Sequence, residues 1–133
     1  MGDVIQPKEL TEPEPYSLGY KVGNVLWVAG QTAQDDSGEP MGLGDARAQA
    51  ACIFRRIGLI LRDAGATPED VVFIRSFLTD MRYQPLVREE RARFFGGHKP
   101  ASTSVQVVAL ARPEWLLEIE VVAVVGQSKG TAL

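Results

Sequence analysis

The chain has 133 residues, of which 45% are hydrophobic and 23% charged, and its formal net charge is -3. This length suits one domain with one hydrophobic core. The acidic balance and the scattered Lys and Arg argue against a nucleic-acid-binding surface, because phosphate neutralisation needs clustered positive charge.

Cysteine and histidine usage excludes two further classes. One cysteine, Cys52, cannot form an internal disulfide, and one histidine leaves no ligand-spaced cluster for a metal. The amino terminus, MGDVIQPKELTEPEP, has no apolar core typical of a signal peptide, and no run approaches the length of a membrane span. We therefore expect a cytoplasmic protein that binds neither metal nor membrane.

The first half of the chain predicts an arm, two strands and a helix. Residues 1–15 are rich in Pro and Glu and predict an extended arm. Residues 16–31, YSLGYKVGNVLWVAGQ, predict two strands around a Gly23-Asn24 turn. Apolar residues then recur at three and four over residues 45–64, which predicts a helix capped by Asp45 and ended by Gly65.

The second half predicts strand, helix, strand, strand. The β-branched stretch VVFIRSFLTD, residues 71–80, indicates a strand. A charged helix follows over residues 83–95, with Glu89 and Arg93 spaced as a supporting surface pair. HKPASTSVQVVAL then begins a serine-rich strand, ARPE a turn, and WLLEIEVVAVV, residues 115–125, a last strand. Residues 127–133 predict a flexible tail, so the domain spans residues 16–126.

The order β-β-α-β-α-β-β predicts an α+β fold with one mixed sheet and both helices on one face. In the last strand, one face is wholly apolar and can cover the helices. The other face, which carries Glu118 and Glu120, is also mostly apolar and has no sequence left to cover it. A bare apolar sheet face predicts a partner, and a second copy of the chain is the simplest one.

A hairpin across ARPE would set Ser102, Ser104 and Gln106 on the same face as Glu118 and Glu120. Two interpretations of this arrangement stay open. Glu120 is either a structural acid, satisfied by the serine hydroxyls, that fixes the register of the oligomer, or a proton acceptor in an intersubunit pocket.

Four stretches in this order resemble the YjgF/RidA family, also called the endoribonuclease L-PSP family. They are PEPYSLGYKVGNVLWVAGQ, GATPEDVVFIRSFLTDM, FFGGHKPASTSVQVVAL and LLEIEVVAV. The resemblance covers about residues 16–125 and implies a chorismate-mutase-like fold and a homotrimer with a central β-barrel. It also implies small-molecule sites in the clefts between subunits, where reactive enamines and imines are hydrolysed without a cofactor.

The resemblance assigns roles to particular residues. Tyr16 matches the family's aromatic residue after a proline, and Glu120 matches the acid of the EIE motif that positions the attacking water. Gly30 and Gln31 match the glycine and glutamine after the early strand. Ala29 stands where deaminating members have a serine.

Ser102 is the larger departure, because the resemblance places there an arginine that holds the substrate carboxylate. A hydroxyl carries no charge and cannot imitate a guanidinium fork. Losing such a pair costs about 2–5 kcal/mol, which is roughly thirty- to several-thousand-fold in affinity. Ser102 and Ser104 therefore predict an altered ligand; Arg82 and Arg112 are candidates for a relocated cation, although each is more simply a solvated loop charge.

Three functions follow. The first is a hydrolase acting on a small enamine, imine or related C–N compound, with Glu120 and Tyr16 as catalytic residues. The second is a trimeric protein that binds a metabolite without turning it over. The third is an interaction protein whose pocket is vestigial. Ribonuclease activity fits poorly with the acidic balance and the single histidine, His98.

Overall fold

A computed structural model describes residues 2–127, so the predicted tail lies outside the described residues except for Gln127. Six strands of this part form one sheet, and two helices accompany them. The strands are β1 (Asp3–Ile5), β2 (Gly19–Val22), β3 (Val25–Gln31), β4 (Val71–Leu78), β5 (Ala101–Gln106) and β6 (Leu117–Val124); the helices are α1 (Ala46–Asp63) and α2 (Gln84–Phe95).

Local sequence signals explain the bounds of α1. The Asp45 side chain accepts a hydrogen bond from the Ala48 amide at 3.0 Å, which satisfies one of the free N–H groups of the first turn. Gly65, just beyond the helix, has a φ of +78°, a conformation that glycine adopts without steric cost. Both predicted ends of this helix are confirmed.

The sheet is mixed, with strand order β1-β2-β3-β6-β4-β5. β6 lies in the middle and pairs antiparallel with β3 and with β4, whereas β4 and β5 are parallel. A parallel pair needs a crossover connection, and α2 supplies it between β4 and β5. The predicted α+β fold with one mixed sheet and two helices is confirmed.

Alternation along β6 separates the core from the open face of the sheet. Leu117, Ile119, Val121 and Ala123 are buried in the core, with the apolar residues of α1 packed around them. The neighbouring positions along β6 are only partly buried. Large apolar side chains remain exposed on this second face; they are Val4, Tyr20, Val22, Trp27 and Val105. We call these residues the open-face patch.

Two local predictions differ from the structure. The arm contains a strand, β1, and it adds Ile5 and Leu10 to the core, because both apolar side chains are within reach of the sheet edge. Glu89 pairs with Arg47 of α1 at 2.6 Å instead of with Arg93, since α1 lies alongside α2.

Within residues 2–127, no helix is both long and apolar enough to cross a membrane, and the cytoplasmic location stays a prediction.

Candidate functional site

The predicted site residues fall into two groups on different parts of the chain. Tyr16, Ala29, Gly30 and Gln31 lie around the end of β3, where a register irregularity between Val28 and Gln31 interrupts the pairing with β6. A cavity of about 190 Å³ opens there, with Tyr16, Gly30 and Gln31 among its lining residues. Irregular strand ends of this kind commonly redirect side chains at functional sites.

Arg56 of α1 also lines this cavity, and the sequence analysis missed it. Its Nε donates to Gln31 Oε1 at 3.1 Å, and the Gln31 amide donates in turn to the Ala29 carbonyl at 2.9 Å. The side chain is buried, and its Nη1 has no hydrogen-bond partner among residues 2–127. Burial lowers the pKa of Arg56, because desolvation disfavours the charged form. The sequence signal that could have identified this residue is the position of an arginine among the buried apolar residues of α1.

Gly30 makes room for the carboxylate of Glu118. A Cβ atom added at Gly30 would overlap Glu118 Oε2, so any larger residue would push this carboxylate away. The Glu118 side chain is partly buried, and its carboxylate has no hydrogen bond or ion pair among residues 2–127. Burial, and then the nearby Glu120, raise the pKa of Glu118 above its ordinary value. A carboxyl group in this environment is suited to accepting and returning a proton.

Glu120 is in a different environment, although it shares the face of β6 with Glu118. Arg75, directly opposite it on β4, donates through Nη1 to Glu120 Oε1 at 2.9 Å. The Arg75 guanidinium also lies over the Phe73 ring, 5.0 Å from its centroid, which fixes its position. Glu120 therefore has an ion-pair partner within its own chain, whereas Glu118 has none among residues 2–127.

The second group, Ser102 and Ser104, lies beside α2. Their side chains line a cleft of about 380 Å³ between α2 and β5. The other residues that line it are Ser76, Leu78, Gln84, Val87, Arg88 and Arg91. Arg91 Nη1 donates to Ser102 Oγ at 2.7 Å. The cleft is thus bordered by three hydroxyl groups and two guanidinium groups.

The predicted hairpin between the serine strand and the last strand is wrong. β5 pairs with β4, and β4 stands between β5 and β6. Ser102 and Ser104 lie opposite Ile74 and Ser76, which face the helices, so the two serines point away from the face of Glu120. Gln106 accepts from the Met81 amide at 2.9 Å, also on the helix side. The predicted alternation within β5 was right. Because α2 connects β4 to β5 as parallel neighbours, however, Ser102 and Ser104 lie on the helix side of the sheet and not on the side of Glu120.

Arg82 and Arg112, the two candidates for a relocated cation, do not reach the cleft. Arg82 is bound by Asp80, with a shortest N–O distance of 2.6 Å, and Arg112 pairs with Glu114 at 3.2 Å. Both are loop charges with carboxylate partners of their own. Among residues 2–127, no group of three His, Cys, Asp or Glu side chains is arranged to hold a metal ion.

The fold and these clefts define a small α+β protein with candidate sites at the ends and edges of its sheet. The sequence profile of the endoribonuclease L-PSP family matches residues 7–125. The chain therefore belongs to the endoribonuclease L-PSP family, the family also known as YjgF/RidA, and the predicted resemblance is confirmed.

Named relatives agree in sequence and in fold. The chain is 35% identical to the 3-aminoacrylate deaminase RutC of Acinetobacter baylyi over 124 residues, which cover 88% of this chain and 98% of that protein. Among solved structures, RidA from an Antarctic Psychrobacter shares 31% identity and a TM-score of 0.84, covering 92% of this chain and 98% of that one. A YjgF/YER057c/UK114 family member from Mycobacterium tuberculosis shares 38% identity and a TM-score of 0.73, over 83% and 86% of the two chains.

Proposed function

We propose that the protein is a RidA-like hydrolase that converts a small reactive imine or enamine to a carbonyl compound and ammonia. A water molecule adds to the imine carbon to give a carbinolamine, and the C–N bond then breaks. The water oxygen becomes the carbonyl oxygen, and both hydrogens of the water leave with the nitrogen as ammonia. The names of the relatives, a 3-aminoacrylate deaminase and a RidA, support this reaction class. The reaction needs a group that accepts a proton and then returns it.

Glu118 is the residue we propose for this proton transfer, instead of Glu120. The observation that carries the proposal is the Glu118 carboxylate, partly buried beside Gly30 with no partner in residues 2–127. The pKa of Glu118 is raised, so its carboxylate holds a proton more tightly than an ordinary glutamate does, as a group that exchanges protons near neutral pH must. Glu120 is held by Arg75 and would give up this ion pair if it took a proton. Tyr16 and Gln31 are proposed to border the same ligand site, as the resemblance implies.

We further propose that each complete site is formed by two copies of the chain. The sheet separates the Glu118 side of the site from the cleft of Ser102 and Ser104, so one chain cannot close both around a small molecule. The open-face patch offers the surface that would hold copies together, because an apolar sheet face of this kind is stabilised by burial. A homotrimer with three clefts agrees with what the resemblance implies.

The test of the hydrolase is ammonia release from freshly generated 2-iminopropanoate and 2-iminobutanoate. Because removal of a general base costs about 10²- to 10⁴-fold, we expect Glu118→Gln to lose at least 100-fold in kcat/KM. Glu120→Gln is the matched control on the same strand face, and we expect it to stay within about tenfold of the wild type. If Glu120→Gln is inactive while Glu118→Gln is active, Glu120 holds the catalytic role.

A second function, ligand binding without turnover, is favoured by one feature. Ser102 stands where the resemblance places the arginine that clamps the substrate. If the wild type releases no ammonia from either imine but still binds a small 2-oxo acid, the protein is a binding module.

A further inference from the structure

Two arginines in the cleft between α2 and β5 have no carboxylate partner. Arg88 and Arg91 both line the cleft, and neither forms an ion pair with any carboxylate of residues 2–127. Apart from buried Arg56, every other arginine lies within 4.0 Å of a carboxylate oxygen. These paired arginines are Arg47, Arg55, Arg62, Arg75, Arg82, Arg93 and Arg112. Among the arginines, only those of this cleft and Arg56 therefore lack a carboxylate partner within residues 2–127.

The two guanidinium groups are neighbours on one face of α2, three residues apart. Burial, and then the neighbouring Arg88, lower the pKa of Arg91, because desolvation and a like charge both disfavour the charged form of the guanidinium. An anion bound between them would relieve both effects. The hydroxyl groups of Ser76 and Ser104 and the amide of Gln84 line the same cleft and can donate hydrogen bonds to it.

The hydrogen bond between Arg91 and Ser102 places the Arg91 guanidinium next to β5. Arg91 reaches from α2 across the cleft and donates to Ser102 Oγ at 2.7 Å. A serine is short enough to leave this space, whereas a long side chain at position 102 would fill it. The Arg91 guanidinium therefore lies against the position from which the resemblance would project an arginine out of β5.

We propose that Arg91, supported by Arg88, binds the carboxylate of the ligand in this cleft. The inference rests on the proposed function and names its substrate class, a small 2-imino acid instead of a neutral imine. A guanidinium presents two parallel N–H donors that match a carboxylate, and the cleft of about 380 Å³ accommodates a small acid. The cation that β5 lacks is supplied by α2.

The direct test measures pyruvate binding by titration calorimetry, because pyruvate has the carboxylate and needs no turnover. We expect Arg91→Ala to weaken binding by about 30- to 1,000-fold, the loss that follows removal of one partner of a partly buried charge pair. Arg91→Gln keeps a donor for Ser102 without the charge and should lose about as much. Arg93→Ala is the matched control, since Arg93 lies on the same helix, pairs with Glu90 and is outside the cleft.

A swap of positions tests the geometry. In the Arg91→Ala background, Ser102→Arg should restore pyruvate binding to within about tenfold of the wild type, because the charge returns from β5. In the wild-type background, Ser102→Arg should weaken binding, since a third guanidinium would crowd Arg91. Unchanged binding in Arg91→Ala, or no restoration by the swap, overturns the inference. Inorganic phosphate serves as competitor, and tighter binding of phosphate than of pyruvate overturns the choice of a carboxylate.

Activity separates this inference from the proposed function. We expect Arg91→Ala to lose kcat/KM for 2-iminopropanoate but not for its neutral amide, 2-iminopropanamide. If Arg91→Ala changes the turnover of neither substrate, the proposed hydrolase function is retained and the proposed role of Arg91 in carboxylate binding is overturned. If the wild type turns over neither substrate but binds pyruvate in a way that depends on Arg91, the proposed hydrolase function is overturned and carboxylate binding by Arg91 is supported.

Discussion

Two carboxylates two residues apart on one strand have different chemical environments. Glu118 and Glu120 point to the same face of β6, so sequence alternation alone cannot distinguish them. The difference comes from neighbours on other strands. Arg75 of β4 pairs with Glu120, whereas Glu118 lies over Gly30 of β3. The EIE motif therefore narrows the proposed proton acceptor to two residues, and the sheet register is the reason we propose Glu118.

The raised pKa of Glu118 predicts a pH-dependent stability. The folded chain binds a proton here more tightly than the unfolded chain, so the stability linked to this group is full below its ordinary pKa. That stability is lost as pH rises through the raised value. We expect Glu118→Gln to unfold at a higher temperature than the wild type near neutral pH, in differential scanning calorimetry.

The difference in unfolding temperature between Glu118→Gln and the wild type should disappear at about pH 4, where the wild-type carboxyl group is also largely neutral. Glu12→Gln, at an exposed position of the arm, is the control and should leave the unfolding temperature unchanged at both pH values. A Glu118→Gln variant no more stable than the wild type near neutral pH would contradict the raised pKa.

At the scale of elements, local rules predicted the helices well. The apolar period of α1 and its cap are properties of adjacent residues, and the structure confirms both. Strand pairing depended on more distant residues. The turn at ARPE suggested a hairpin, but α2 makes β4 and β5 parallel neighbours and leaves β6 on the far side of β4. The positions of Ser102 and Arg91 in one cleft follow from this crossover and could not be deduced from spacing.

The cap of α1 gives a stability prediction at this scale. Asp45 accepts from the Ala48 amide, so Asp45→Ala leaves that N–H without its side-chain partner. We expect a loss of about 1 kcal/mol in the free energy of unfolding, measured by urea denaturation, with the slope unchanged. Asp45→Asn retains the acceptor and should recover most of the loss. An Asp45→Ala variant as stable as the wild type would show that the cap contributes nothing.

At the scale of the whole molecule, one face of the sheet lacks a cover in the single chain. Tyr20 and Trp27 are 45% and 50% exposed on this open face, in one row with Val4. The sequence predicted this from the apolar second face of the last strand, and the structure confirms that the helices do not cover it. Association of copies would bury the open-face patch and bring the edge of one sheet close to its neighbour.

The central claim is that a complete site takes the Glu118 side from one chain and the cleft of Ser102 and Ser104 from another. Mixed oligomers of two inactive variants test it most directly. Glu118→Gln removes the first half, and Ser104→Trp fills the cleft that forms the second half. Each variant alone should release little ammonia from 2-iminopropanoate. Oligomers co-expressed from equal amounts of both should recover about a quarter of the wild-type rate, because each intersubunit cleft draws its two halves independently. A mixture no more active than the separate variants would place both halves in one chain and contradict the account.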